Sequence, residues 1–171
     1  GTKEVVLDDV LVGRSNADIN AIKQEYQRPS KKSLESDPRG DPSAGPEQMY
    51  MMIIAGRRNE DSHPVIQAET DQAVTDLQTA VGGFASKNTA QVCSILTSKN
   101  DAQLRAISQS YGARFHKTLD TVLKSAFAGH MEDALRLLVA RARKRAEAEA
   151  VRLEESMAGL GTKDELLVQR V

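Results

Sequence analysis

The chain has 171 residues, 40% apolar but only 4% aromatic and without Trp, and a formal net charge of −1. This length allows one domain or two small ones with a real core. A core of Leu, Ile, Val, Met and Ala favours packed helices over a sandwich or barrel. The near-neutral charge argues against a nucleic-acid partner and against bulk attachment to bare anionic membrane, and no apolar run reaches the ~18 residues of a membrane span.

Val5, Val6, Val10 and Leu11 form a helical stripe from about residue 2 to 13. It breaks at Gly13-Arg14-Ser15-Asn16, where Ser15 or Asn16 can cap a second helix carrying Ile19, Ile22 and Tyr26. Pro29-Ser30 closes that helix, a short one follows around Lys32–Ser36, and the turn-rich stretch 37–46 reads as loop. Met49–Ala55 is wholly apolar and reads as a buried helix, residues 57–64 as a polar connection, and Val65–Val81 as a fifth helix ended by Gly82-Gly83. The same order then recurs at about 87–98, 101–112, 116–125, 129–140 and 142–157, the last rich in strong helix formers with interleaved charges.

The recurrence is visible in the residues themselves. The segment Ala17–Tyr26 (ADINAIKQEY) is echoed 85 positions later by Ala102–Tyr111 (AQLRAISQSY), and the opening Gly1-Thr2-Lys3-Glu4 returns as Gly161-Thr162-Lys163-Asp164. Self-similarity at fixed spacing marks a repeated structural unit. The expected units are 1–66, 67–145 and a third that begins with a linking helix at 146 and stops at 171.

Met157-Ala158-Gly159-Leu160-Gly161-Thr162-Lys163-Asp164, taken with Val12-Gly13-Arg14-Ser15-Asn16-Ala17, closely resembles the annexin repeat. That family's pattern is a Gly-x-Gly-Thr-[Asp/Glu] loop opening the first helix and Arg-Ser-Asn between the first and second. A carboxylate follows about forty residues after the loop. Asp41, in Gly40-Asp41-Pro42-Ser43, lies 40 positions after Gly1, and unit spacings of 85 and then 75 resemble the second, third and fourth of four annexin repeats. The resemblance implies an all-α, annexin-like array of five-helix repeats, incomplete at both ends. It further implies calcium as cofactor, held in loops that bridge the protein to acidic phospholipid. Glycines let such a loop turn its carbonyls toward a hard cation, and a distant carboxylate closes the site. Because the ion keeps positions for lipid oxygens, calcium and membrane should strengthen each other's binding.

Carried over residue by residue, the resemblance assigns Gly1 and Asp41 to a main calcium site in the first unit, with Thr2 and Glu4 at a secondary position. In the third it assigns Met157, Gly159 and Gly161 to the carbonyl donors, followed by Thr162 and Asp164. The second unit departs: Ser86-Lys87-Asn88 replaces Gly-Thr-Asp and Ala126 stands at the carboxylate position, so this unit is not expected to bind calcium in the family's manner.

Other motifs have plainer readings. Arg39-Gly40-Asp41 spells an adhesion tripeptide that arises readily by chance. The basic run Arg141, Arg143, Lys144 and Arg145 is followed on the same helix by Glu147, Glu149, Glu154 and Glu155, which favours a solvated face over a lipid or nucleic-acid site. Met49, Met51 and Met52 read as packing. Cys93, the single cysteine, excludes an internal disulfide, suits a reducing compartment and falls in the apolar register of its helix. His63, His116 and His130 lack zinc spacing, Gly82-Gly83 lacks the P-loop pattern, and no Ser/His/Asp or Cys/His set stands out.

The sequence therefore reads as a non-enzymatic, calcium-dependent binder of acidic phospholipid, cytoplasmic and peripheral to membranes when calcium is present. The alternative is a helical scaffold or protein-interaction module whose calcium sites have decayed. The absence of a signal peptide and of an initial Met points to a trimmed fragment. An incomplete third unit also leaves self-association with a second copy open.

Overall fold

In this computed structural model, residues 2–30, 45–82 and 87–169 are described, with side chains for 6, 8–25, 46–82 and 87–160. Among them every regular element is a helix: α1 (Thr2–Leu11), α2 (Asn16–Ser30), α3 (Gly45–Ile54), α4 (Gln67–Gly82), α5 (Thr89–Ser98), α6 (Asp101–Phe115), α7 (Leu119–Ala126) and α8 (Gly129–Gln169). The array matches the all-α expectation. The helix expected around 32–36, and the loop over 37–44, lie outside the described residues. Gly45-Pro46, expected as loop, opens α3 instead, since proline's fixed φ and missing N–H suit a first helical turn.

The two echoed segments begin in the same way. Ser15 Oγ accepts the Asp18 N–H at 3.1 Å, and 85 positions on Asn100 Oδ1 accepts the Gln103 N–H at 2.9 Å. The Gln103 side chain returns a bond to the Asn100 N–H at 2.9 Å, completing a capping box. Asn100, 1% exposed, also donates to the carbonyls of Glu60 and His63 at 2.9 and 3.0 Å, so the cap of α6 holds the 57–64 connection in place.

The core runs through both units without a break. Leu11, Ile19 and Met49 from the first join Leu96, Leu104, Ile107, Tyr111, Leu123 and Leu135 from the second in one buried cluster. The bridge is made where α3 packs on α5, while α8 lies against α6 and α7. Met49 is fully buried and Met51 is 39% exposed, so the methionine cluster is packed on one side only. Cys93 is buried, and burial pushes its thiol up to about 11, which makes it an inert packing group.

One expected boundary is corrected. Separate helices at 129–140 and 142–157, and a loop at 157–161, are replaced by the single 41-residue α8. Ala, Glu and Arg dominate 140–155 and carry the helix forward. Gly159 and Gly161 weaken it by only about 1 kcal/mol each relative to Ala. Val151, Leu153, Met157 and Leu160 are all more than half exposed, so no packed neighbour bends the helix there.

Candidate functional site

Gly1 and Asp41, the principal pair expected for the first unit, lie outside the described residues. Thr2 and Glu4 fall in the first turn of α1, where backbone N–H groups lack intrahelical partners and a carboxylate is favoured. Their side chains are outside the described set. Among the described residues no group of three or more His, Cys, Asp or Glu side chains could hold a metal ion.

In the second unit the two positions that would face an ion touch each other directly. Lys87 Nζ donates to the Ala126 carbonyl, and the ammonium sits 5.0 Å from the centroid of the Phe127 ring. A fixed positive charge with no carboxylate opposite it does not fit a calcium ion.

In the third unit the assigned donors are helical. Met157 and Gly159 lie within α8, as do the backbones of Gly161, Thr162 and Asp164. A helical carbonyl is directed along the axis at the N–H four residues on. In this conformation the carbonyls of Met157, Gly159 and Gly161 cannot also be turned outward as a set of ligands, so the expected loop is corrected.

What the structure assembles instead is a polar cleft of about 490 Å³ where the two units meet, lined by the α1–α2 turn, the 58–61 connection and α8. Arg58 is its hub. The guanidinium donates to the carbonyls of Lys99 at 3.0 Å and Gly13 at 3.2 Å, and Nη2 pairs with Asp101. Arg145 approaches Asp101 from α8 with two bonds, Nε to Oδ2 at 2.7 Å and Nη2 to Oδ1 at 2.8 Å. Burial alone would raise the Asp101 carboxyl, but the hydrogen bond from Arg145 and the charge and hydrogen bond of Arg58 outweigh it and hold the group below the usual carboxylate range. Arg141, one turn earlier, donates to the carbonyls of Asp8, Asp9 and Val12 and pairs with Asp9 at 2.9 Å. Asn16 secures the connection, its Oδ1 accepting the Arg58 N–H at 3.0 Å and its Nδ2 donating to the Arg58 carbonyl at 2.5 Å.

This cleft corrects the reading of the basic run. Arg143 and Lys144 are exposed, but Arg141 and Arg145, one turn apart on the same face of α8, tie the second unit to the first. The spacing of four was the available signal; the acidic residues that follow on the helix obscured it.

The family model described as Annexin matches residues 1–53 and 72–138. The chain belongs to the annexin family. Its curated relatives include Annexin C1 of Cryptococcus neoformans, 35% identical over 100% of this chain and 37% of that protein. Annexin A13 of Homo sapiens is 33% identical over 100% of this chain and 54% of that one. This annexin chain thus spans about half the length, or less, of those relatives. Among solved structures, annexin III superposes with a TM-score of 0.74 at 26% identity, covering 84% of this chain and 44% of that one. Apo-annexin (Sm)1 gives 0.76 at 21% identity over 95% and 52%, a likeness of fold alone. Annexins in general bind phospholipid in a calcium-dependent way, peripherally and without catalysis. No helix among the described residues is long and apolar enough to cross a membrane.

Proposed function

We propose that this annexin chain binds acidic phospholipid surfaces through calcium, and that the first unit carries the site. Gly1 supplies a carbonyl, Asp41 the closing carboxylate, and Thr2 and Glu4 the secondary position. What supports this reading above all is the pairing of Gly1-Thr2-Lys3-Glu4 with Asp41 at the family's forty-residue spacing, in a chain matched by the annexin family model from residue 1 to 53. One carboxylate with neutral carbonyls makes a weak isolated calcium site, which lipid phosphate strengthens by filling open positions. Met157, Gly159, Gly161, Thr162 and Asp164 join as a further site only if α8 opens at its glycines. Sedimentation with phosphatidylserine vesicles is the test: binding is expected with calcium and lost in chelator, and Asp41→Ala should weaken it while helicity is kept. Binding equal in calcium and chelator would overturn the reading.

A second reading is favoured by a specific observation. Lys87 Nζ donates to the carbonyl of Ala126, the counterpart of Asp41, in one unit, and the donor segment of another is helical. A calcium-independent scaffold, carried by the polar junction between the units, accounts for both. Equal sedimentation with and without calcium is what it predicts.

A further inference from the structure

The contact between Lys87 and Ala126 is not an incidental surface bond. Lys87 stands 85 positions after Thr2, and Ala126 stands 85 after Asp41, so the two residues in contact are the counterparts of a loop residue and the carboxylate assigned to calcium. The Ala126 carbonyl belongs to the last turn of α7, whose terminal carbonyls lack intrahelical partners and carry the negative end of the helix dipole. Phe127, 6% exposed, caps that helix through its N–H to the Leu123 carbonyl at 3.0 Å and presents its ring to the ammonium. On the other side, Lys87 is held at the foot of α5 by its neighbour. The Asn88 N–H donates to the Ala80 carbonyl at 2.7 Å and Asn88 Oδ1 accepts the Gln91 N–H at 3.0 Å. A cation is therefore fixed between the start of α5 and the end of α7, attached to the chain.

We propose that Lys87 is a tethered cation that replaces calcium in the second unit, pinning the start of α5 to the α7–α8 turn at every calcium concentration. The residue also determines metal specificity here, because its ammonium excludes a divalent ion even where a carboxylate is supplied opposite it. The comparison with the first unit rests on the calcium reading; the clamp itself is tested without lipid and in chelator.

Hydrogen exchange of the whole chain reads the clamp at the Asn88 and Phe127 amides. Wild type should show the same protection in chelator and in millimolar calcium. Lys87→Met, which keeps the apolar stem over Phe127 but removes the charge, should speed exchange at both amides about tenfold, and Lys87→Arg should restore protection. Unchanged exchange in Lys87→Met, or wild-type protection that rises with calcium, would overturn the proposal. Titration with calcium chloride supplies the second arm. Ala126→Asp should raise the melting temperature through a pair with Lys87 and take up no more calcium than wild type. Additional uptake by that variant would defeat the specificity assignment, whatever the first unit binds.

Discussion

Arg145 and Asp101 meet in a two-bonded fork, at 2.7 and 2.8 Å, that ties the middle of α8 to the first turn of α6. Arg58 reaches the same carboxylate from the 57–64 connection of the first unit. One acid thus satisfies two cations from different elements, and Asp101→Asn should disturb both. Because hydrogen bonds to charged groups contribute about 1.5–3 kcal/mol, a loss of about 2 kcal/mol is expected. Thermal unfolding should show a melting temperature several degrees lower with helicity retained. An unchanged midpoint would mean that water replaces these bonds at no cost.

The same carboxylate sets an acid limit. Asp101 is held below the ordinary range in the folded chain, so its contribution is fully present above the unfolded value of about 3.9 and is lost as pH falls through the folded one. Asp120 is also lowered, chiefly by its hydrogen bond to Arg136, but its side chain is 43% exposed and solvent screens the pair. Melting temperature should therefore fall as the pH drops below about 4, more gently in Asp101→Asn than in wild type. Parallel curves for the two proteins would assign the acid sensitivity to other groups.

Gly13 makes room for this junction. Its φ is +76°, and a Cβ there would lie 3.0 Å from Arg145 Nη2 and 3.3 Å from Nη1. Gly13→Ala meets the left-handed penalty of about 1–2 kcal/mol and pushes the guanidinium off Asp101. Both effects lower the melting temperature. Since the second acts through the fork, Gly13→Ala combined with Asp101→Asn should lose less than the two single losses together. Strict additivity would separate the backbone penalty from the ion pair.

Local signals made most of the fold legible. Ile19 and its echo Leu104 are both buried, and the Ser15 and Asn100 caps lie where turn chemistry places helix starts. That position 126 carries no carboxylate is legible too, from its register with Asp41, although Lys87 reaching the Ala126 carbonyl is not. Two things were hidden. Asp101 reads as an ordinary acid after a cap, because its partners Arg58 and Arg145 are 43 and 44 residues away. The length of α8 was missed because glycines at 159 and 161 look like a helix stop, whereas a stop also needs packing that favours the turn.

Tyr50 joins three helices at a buried point. Its hydroxyl donates to Asp8 Oδ1 at 2.5 Å and lies 2.5 Å from His130 Nε2, which is itself 3.3 Å from the carboxylate. A hydroxyl that gives its proton to Asp8 can only accept from His130, so Nε2 carries a hydrogen. Asp8 is 6% exposed, and Tyr50→Phe would deprive it of a charge-assisted bond, with an expected loss of about 1.5–3 kcal/mol. Paired with His130→Gln in a double-mutant cycle, the loss should be less than additive, because both changes strip the same carboxylate. Additive losses would place His130 outside the network.

Gly159 decides what the far end of α8 is. In the helix a Cβ at this position would meet nothing within 4 Å, so Gly159→Ala should be accommodated freely and favour the helix by about 1 kcal/mol. A calcium loop makes the opposite demand, since it needs the glycine's freedom to turn carbonyls outward. If α8 holds in solution as it stands, Gly159→Ala raises helicity and leaves calcium-dependent vesicle binding to the first unit unchanged. If the segment opens as a loop when calcium binds, the same change weakens that binding by shifting the equilibrium toward the helix, a factor of about five for 1 kcal/mol. Circular dichroism and vesicle sedimentation on one variant, with Asp41→Ala beside it, separate a permanent helix from one that opens at its glycines.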